Sequence, residues 1–199
     1  MLDQAVGCLR AGGLVAYPTD TVYGLGAAAD NDDAVRRLFQ VKQRPSDKPL
    51  PLLLASTEQV AEVATDVPAV ARRLMEAFWP GGLTIVLRRA PSYRSLALGG
   101  GDTVAVRVPD HPIPRELVAT LGRPVTGTSA NRSGGPAPLT AADVREQLGG
   151  QIDLIIDGGP CRGGTESTVI DCTVAPPRLL REGAVPRGDV ERVIGDRDQ

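Results

Sequence analysis

Residues 12–49 read GGLVAYPTDTVYGLGAAADNDDAVRRLFQVKQRPSDKP, and this stretch decides how the chain is built. The apolar run 14–17 has the length of a strand. It enters a polar turn, Pro18-Thr19-Asp20-Thr21-Val22-Tyr23-Gly24-Leu25-Gly26, in which Gly24 and Gly26 read as turn glycines that also line a pocket. An amphipathic helix follows, capped by Asp32 or Asp33 and running to about Val41, with Val35, Leu38 and Phe39 on one face. Lys42-Gln43-Arg44-Pro45-Ser46-Asp47-Lys48-Pro49 then ends it, because proline lacks an N–H and disfavours the helical region for its predecessor. Three fixed cations, Lys42, Arg44 and Lys48, are therefore offered from an extended loop, a setting that suits an anion.

Outward from that stretch, helices and strands interleave. Residues 3–11 form an amphipathic pattern stopped by Gly12-Gly13, and 50–55 is a wholly apolar run of strand length. Ser56 with Gln59 marks a capping-box helix start, and 69–78 is helical up to Trp79-Pro80-Gly81-Gly82. Residues 83–89 and 103–109 read as strands. The second alternates Val104, Val106 and Val108 against Thr103, Ala105 and Arg107, so Arg107 projects from the face opposite the valines. A charge on a sheet face is costly unless it is paired or meets an anion.

His111, between Asp110 and Pro112, opens a helix over 114–121. A short strand at 124–126 enters Gly127-Thr128-Ser129-Ala130-Asn131, and Thr140 with Asp143 caps a helix to Leu148. Strands are expected at 152–157, 167–172 and 178–181, with a terminal turn at 190–194. Several strands are joined by connections too short for a crossover helix. The expected fold is therefore α/β, one domain over 1–199, with a twisted open mixed sheet and flanking helices.

A chain of 199 residues with 42% apolar content buries the core of one compact domain. Its net charge of −2 argues against a dedicated duplex-binding domain, which carries a basic excess, so the positive charge is local. Cys8, Cys161 and Cys172 are odd in number and lack CxxC spacing, and no N-terminal run resembles a signal peptide; a reduced, cytoplasmic setting is expected. No apolar stretch approaches the ~20 residues needed to cross a bilayer. With one histidine, a serine or cysteine nucleophile would have a single ring to depend on. Neither GxxxxGK[ST] nor GxGxxG occurs, and His/Cys metal spacing is missing. A bound nucleotide would be held by loop cations and hydroxyls.

Six motifs follow one another in the order seen in the YrdC/TsaC family, which the chain resembles over residues 5–190. They are the string 13–26, Lys42-x-Arg44-Pro45 with Lys48-Pro49-Leu50, the strand 104–109, Ser129-Ala130-Asn131-x-Ser133-Gly134, Ser167-Thr168-Val169-Ile170-Asp171, and Leu180-Arg181-x-Gly183. The resemblance implies a YrdC-like fold with a positively charged concave face. It also implies a nucleotidyltransferase that condenses L-threonine, bicarbonate and ATP to L-threonylcarbamoyladenylate and pyrophosphate. The product would feed tRNA threonylcarbamoyladenosine formation by separate proteins.

By the same resemblance Thr21 and Arg107 hold threonine with Ser167 nearby, and Lys42, Arg44, Lys48, Thr103, Ser129, Asn131, Thr140 and Arg181 face ATP. Lys42 and Arg44 would stabilise charge, Mg2+ would come with ATP, and no protein nucleophile is implied. The sequence departs from the family pattern at Leu53, where many members have histidine, and at Lys48, where many have asparagine. With about ten residues after Arg187 it resembles the single-domain form. The glycine-rich run 158–164 reads as a flexible connection or lid, and Cys161 and Cys172 as inert. Other readings are an RNA-binding module using the basic concavity, a carbamoyl-adenylate-binding protein, and a nucleotide-binding regulator without turnover.

Overall fold

The structure, a computed structural model describing residues 1–195, makes the opening stretch a pair of strands joined by a turn. β1 (Val15–Tyr17) runs antiparallel to β2 (Gly24–Gly26), with Tyr17 opposite Gly24. The turn reading of Gly24 and Gly26 is thereby corrected, for both are strand residues that need to be small. A Cβ on Gly24 would stand 2.7 Å from the Tyr17 ring, and one on Gly26 would collide with a Val125 methyl and stand 2.7 Å from the same ring, so both glycines face packed side chains and neither lines the main cavity. The space goes to Tyr17, which is fully buried and donates its hydroxyl to the Thr126 carbonyl at 2.7 Å.

α1 (Leu2–Arg10) precedes this pair and α2 (Asp32–Lys42) follows it. The cap of α2 is Asn31, whose side chain accepts from the Ala34 N–H at 3.0 Å. Asp32 and Asp33 sit instead in the first turn, where carboxylates favour the helix dipole. β3 is short (Leu52–Leu53), and a 3-10 turn at Thr57–Gln59 leads into α3 (Val60–Val63) and β4 (Ala64–Thr65). Ser56 makes no capping bond, and the Gln59 amide oxygen accepts from the Ala55 N–H at 2.7 Å, one residue before the cap, so the expected box does not form.

α4 (Ala69–Phe78) and β5 (Leu83–Arg89) match the expected boundaries. β6 (Thr103–Arg107) and α5 (Pro112–Leu121) follow, with the His111 ring accepting from the Ile113 N–H at the helix start. β7 (Val125–Thr126) and β8 (Thr128–Ser129) are separated by one residue, Gly127. The chain closes with α6 (Ala141–Leu148), β9 (Leu154–Ile155), β10 (Thr168–Asp171), β11 (Arg178–Arg181) and α7 (Arg187–Gly195), the last a helix where a turn was expected.

The strands form two mixed sheets. The smaller has the order β8-β2-β1-β9, with β1 and β9 parallel; the larger runs β11-β10-β5-β6-β3-β7, with β10 parallel to β5, β3 parallel to β6, and β4 beside β5. Val104, Val106 and Val108 enter the main core with Leu52, Leu83, Ile85 and Leu87, each fully buried leucine there contributing about 1.5–3 kcal/mol. A second apolar cluster joins α1 and α5 through Val6, Leu9, Leu117 and Leu121 to Val15, Tyr17 and Leu53. The chain passes from the larger sheet to the smaller at Gly127, where a Cβ would stand 2.7 Å from the Leu53 side chain. Among the described residues no helix is long and apolar enough to cross a membrane.

Candidate active site

With its valines committed to the core, β6 turns Ala105 and Arg107 to the other face. There, with Val86, Val169 and Leu180, they line a cavity of about 580 Å³. Thr128 and Ser129 of the smaller sheet close one side, so the cavity spans both sheets. Around it stand the cations Lys42, Arg44, Arg107 and Arg181 and one carboxylate, Glu166. Even counting Asp20, which pairs with Arg107, four cations face two acids, an excess that attracts a polyanion.

Arg107 anchors one end. It is 7% exposed; its Nη2 donates to Asp20 Oδ1 at 2.6 Å, Nη1 to Thr21 Oγ1 at 3.0 Å and Nε to the Gly81 carbonyl at 2.9 Å. Three of its five N–H groups are thus used, leaving one on each terminal nitrogen. Burial lowers the Arg107 pKa and Asp20 opposes that shift. Asp20 also accepts from the Asp110 N–H at 3.1 Å. Beside Thr21, the Ser167 hydroxyl lies 2.8 Å from that of Thr84, and both residues are buried. The sequence reading missed Asp20 and Thr84. A signal for Asp20 existed, since a buried arginine demands a counter-charge and the polar turn holds one acid.

At the other end Lys42, 2% exposed at the close of α2, donates to the Ser129 carbonyl at 2.5 Å, the Asn131 carbonyl at 2.9 Å and Asn131 Oδ1 at 3.3 Å. All three of its N–H groups are spoken for, so it clamps α2 to the 129–131 loop. Burial first, and the Arg44 charge second, push its pKa down to about 8, partly opposed by Glu166. Arg44 is steadied by the Lys48 and Pro49 carbonyls. Arg181 donates through Nε and Nη2 to the Ser167 carbonyl and through Nη1 to Glu166 at 2.5 Å. The Ser129 hydroxyl donates to Asn131 Oδ1 at 2.7 Å, and Asn131 donates on to the Gly135 carbonyl.

This chain matches the Sua5/YciO/YrdC family, described as "Telomere recombination", over residues 7–183. It belongs to that family. A threonylcarbamoyl-AMP synthase of Pyrococcus abyssi is 49% identical over 96% of this chain and 56% of its own length. One from Bacillus subtilis is 45% identical over 98% of this chain and likewise 56% of its own. The crystal structure of P. abyssi Sua5 complexed with L-threonine superposes with a TM-score of 0.94 at 48% identity, covering 98% of this chain and 57% of that one. The chain thus spans about half the length of these relatives.

Within this Sua5/YciO/YrdC fold, eight of the sequence-predicted site residues meet around the cavity: Thr21, Arg107, Ser167, Lys42, Arg44, Ser129, Asn131 and Arg181. Three lie outside its lining. Lys48 is exposed, and its carbonyl supports Arg44. Thr103 shares a face with Ala105 and Arg107 but sits at the far end of β6, opposite Arg88. Thr140 spends its hydroxyl as the α6 cap, accepting from the Asp143 N–H at 3.2 Å. Leu53 is buried in the second apolar cluster and does not itself line the cavity, although it packs beneath Gly127, which does.

The glycine-rich run is tied down where a flexible connection or lid was expected. The Tyr23 hydroxyl donates to the Gly159 carbonyl, the Cys161 N–H to Leu139 and the Gly164 N–H to Thr21. A Cβ on Gly163 would stand 2.6 Å from the Asp20 carbonyl oxygen, so this strap lies directly on the 18–23 turn. Burial raises the Cys161 thiol pKa and pushes that of Cys172 up to about 12, consistent with inert cysteines.

Proposed function

We propose that this chain makes L-threonylcarbamoyladenylate from L-threonine, bicarbonate and ATP, releasing water as the carbamate forms and pyrophosphate as it is adenylated. The observation that carries this reading is a single cavity joining the partly free fork of Arg107 to Lys42, Arg44 and Arg181. It is reinforced by a relative of nearly the same fold crystallised with L-threonine. ATP carries about four negative charges, and bringing a carbamate against its α-phosphate is opposed by several kcal/mol of repulsion in a partly desolvated site. The four cations offset that repulsion. Arg107 takes the threonine α-carboxylate; Arg44 and Arg181 face the phosphates; Lys42 keeps Ser129 and Asn131 in place beside them.

The carbamate oxygen forms the new bond to the α-phosphorus as the bond to pyrophosphate breaks. No protein nucleophile is needed, so catalysis rests on positioning and charge stabilisation. Among the described residues no group of three or more His, Cys, Asp or Glu is disposed to hold a metal. Mg2+ bound through substrate phosphates needs no such cage and uses one or two carboxylates at most, and Glu166 is the carboxylate at hand. The ion would neutralise phosphate charge. The adenylate would pass to separate tRNA threonylcarbamoyl-transfer proteins in the cytoplasm.

Pyrophosphate release from purified protein with ATP and Mg2+ is expected to require L-threonine and bicarbonate together. Equal release with either omitted would sink the proposal. Serine is expected to be the best surrogate and valine a poor one, since a site that hydrogen-bonds the side-chain hydroxyl rejects an isostere lacking it.

A further inference from the structure

Thr84 stands two residues before Val86 and on the same face of β5, yet unlike Val86 it does not reach the cavity. It is 1% exposed, and among the described residues its hydroxyl has one partner, the Ser167 hydroxyl at 2.8 Å. Distance alone lets either oxygen supply the proton in that contact. The surroundings decide it. Were Ser167 the donor, the Thr84 proton would be left unpaired inside the core, and a buried donor without an acceptor is costly. Thr84 is therefore the donor, and Ser167 accepts. The second lone pair of Ser167 Oγ faces Arg181 Nη2 at 3.4 Å, a nitrogen that can only donate. With both lone pairs met by donors, Ser167 keeps its own proton. Ser167 lines the cavity and no acceptor among the described residues takes that proton, so it is offered to a ligand.

We propose that Thr84 is a positioning residue that fixes Ser167 as a hydrogen-bond donor to the side-chain hydroxyl oxygen of the amino acid, which makes this buried pair a determinant of substrate specificity. Ser167 stands at the Arg107 end of the cavity. The Gly82 carbonyl accepts from the N–H of Thr168, the residue after Ser167, while a Cβ on Gly82 would stand 3.5 Å from the methyl of Thr21, a direct partner of Arg107. At that end the guanidinium suits the carboxylate, and an uncharged hydroxyl is left for an uncharged donor. An amino acid without the hydroxyl gives the Ser167 proton no acceptor, because turning it inward would only orphan the proton of Thr84. Thr84 thus enforces the choice from outside the cavity. The assignment rests on the threonine-dependent reading above.

Calorimetric titration of L-threonine, L-2-aminobutyrate and ATP into wild type, Thr84→Val, Thr84→Ser, Ser167→Ala and the Thr84→Val/Ser167→Ala double variant tests it. L-2-Aminobutyrate differs from threonine only in lacking the hydroxyl. Wild type is expected to prefer threonine by at least about tenfold, and Ser167→Ala by no more than about twofold. Thr84→Val, which keeps the strand-compatible shape but removes the donor that anchors Ser167, is expected to lower the preference to about threefold, and Thr84→Ser to restore it. ATP affinity is expected to stay within about twofold throughout. Because Thr84 acts through Ser167, Thr84→Val is expected to add nothing in the Ser167→Ala background. Full discrimination in Ser167→Ala or in Thr84→Val, additive losses, or equal losses for threonine and ATP would each overturn the proposal.

A second measurement needs neither variants nor substrate. Neutron diffraction from deuterium-exchanged crystals of the wild-type protein is expected to place the Thr84 deuteron on the line to Ser167 Oγ, with the Ser167 deuteron turned toward the cavity. A Ser167 deuteron on that line overturns the assignment. Wild type that fails to bind L-threonine would instead remove the proposed function, leaving the deuteron positions to judge the polarity of the pair.

Discussion

Replacing Arg107 with lysine is expected to weaken L-threonine binding by about 30- to 100-fold while ATP binding changes little. A carboxylate meeting the one free N–H on each terminal nitrogen makes two charge-assisted bonds, each worth about 1.5–3 kcal/mol. Lysine brings a point charge without the planar fork and cannot hold Asp20, Thr21, the Gly81 carbonyl and a substrate together. It does preserve the counter-charge for Asp20, so the fold is expected to survive. Arg107→Ala differs in kind: it strands the Asp20 carboxylate in a mostly buried position, at about 3–5 kcal/mol in stability. Calorimetry with each ligand, alongside thermal unfolding, separates binding from folding. Equal loss for both ligands in Arg107→Lys, or full threonine affinity, would remove Arg107 from the substrate site.

The second large effect is a pH dependence centred on Lys42. Its pKa of about 8 in the folded protein means that its charge is lost as pH rises through that value, under the influence of burial, Arg44 and Glu166. A phosphate anion nearby favours the charged form. ATP affinity is therefore expected to be full well below pH 8 and to fall about tenfold by pH 9.5. Folding stability of the ligand-free protein moves the opposite way. Between pH 8 and the ordinary lysine value of 10.5 the unfolded chain holds more protons than the folded one, so stability rises with pH across that window by up to about 3 kcal/mol. Lys42→Met, which keeps the length and removes the charge, is expected to abolish both slopes. ATP titrations from pH 6.5 to 9.5 showing a flat wild-type profile, or the same slope in Lys42→Met, would show that Lys42 does not carry the dependence.

Much of the scaffold was legible because it obeys local rules. α4 and β5 end where Trp79-Pro80-Gly81-Gly82 and the strand pattern require, and the Thr140–Asp143 box forms as read. The face of Arg107 followed from the valine alternation alone. What escaped depends on partners distant in sequence. Gly24 and Gly26 look like turn residues until Tyr17 and Val125 are packed against them. The three acceptors of Lys42 include two carbonyls nearly ninety residues away, and nothing in a Lys-x-Arg motif announces them. Division of the strands into two sheets was equally hidden, because the chain changes sheet between β2 and β3, between β7 and β8 and between β9 and β10, the second time across a single residue.

The one-residue crossing at Gly127 has a mechanical consequence. Gly127 is the narrow passage by which the backbone leaves one sheet for the other, pressed against Leu53, and the cavity opens over the same seam. A substrate held as proposed, by Arg107 and Arg181 on one side and by the 129–131 loop on the other, would act as a staple across it. At a hundred times its Kd such a ligand adds about 2.7 kcal/mol of stability. Because its contacts straddle the seam, the gain falls on the relative motion of the two sheets, slowing amide exchange in β8 and β2 together with β6. Substrate bound in that way would stiffen the molecule along one line, the seam at Gly127.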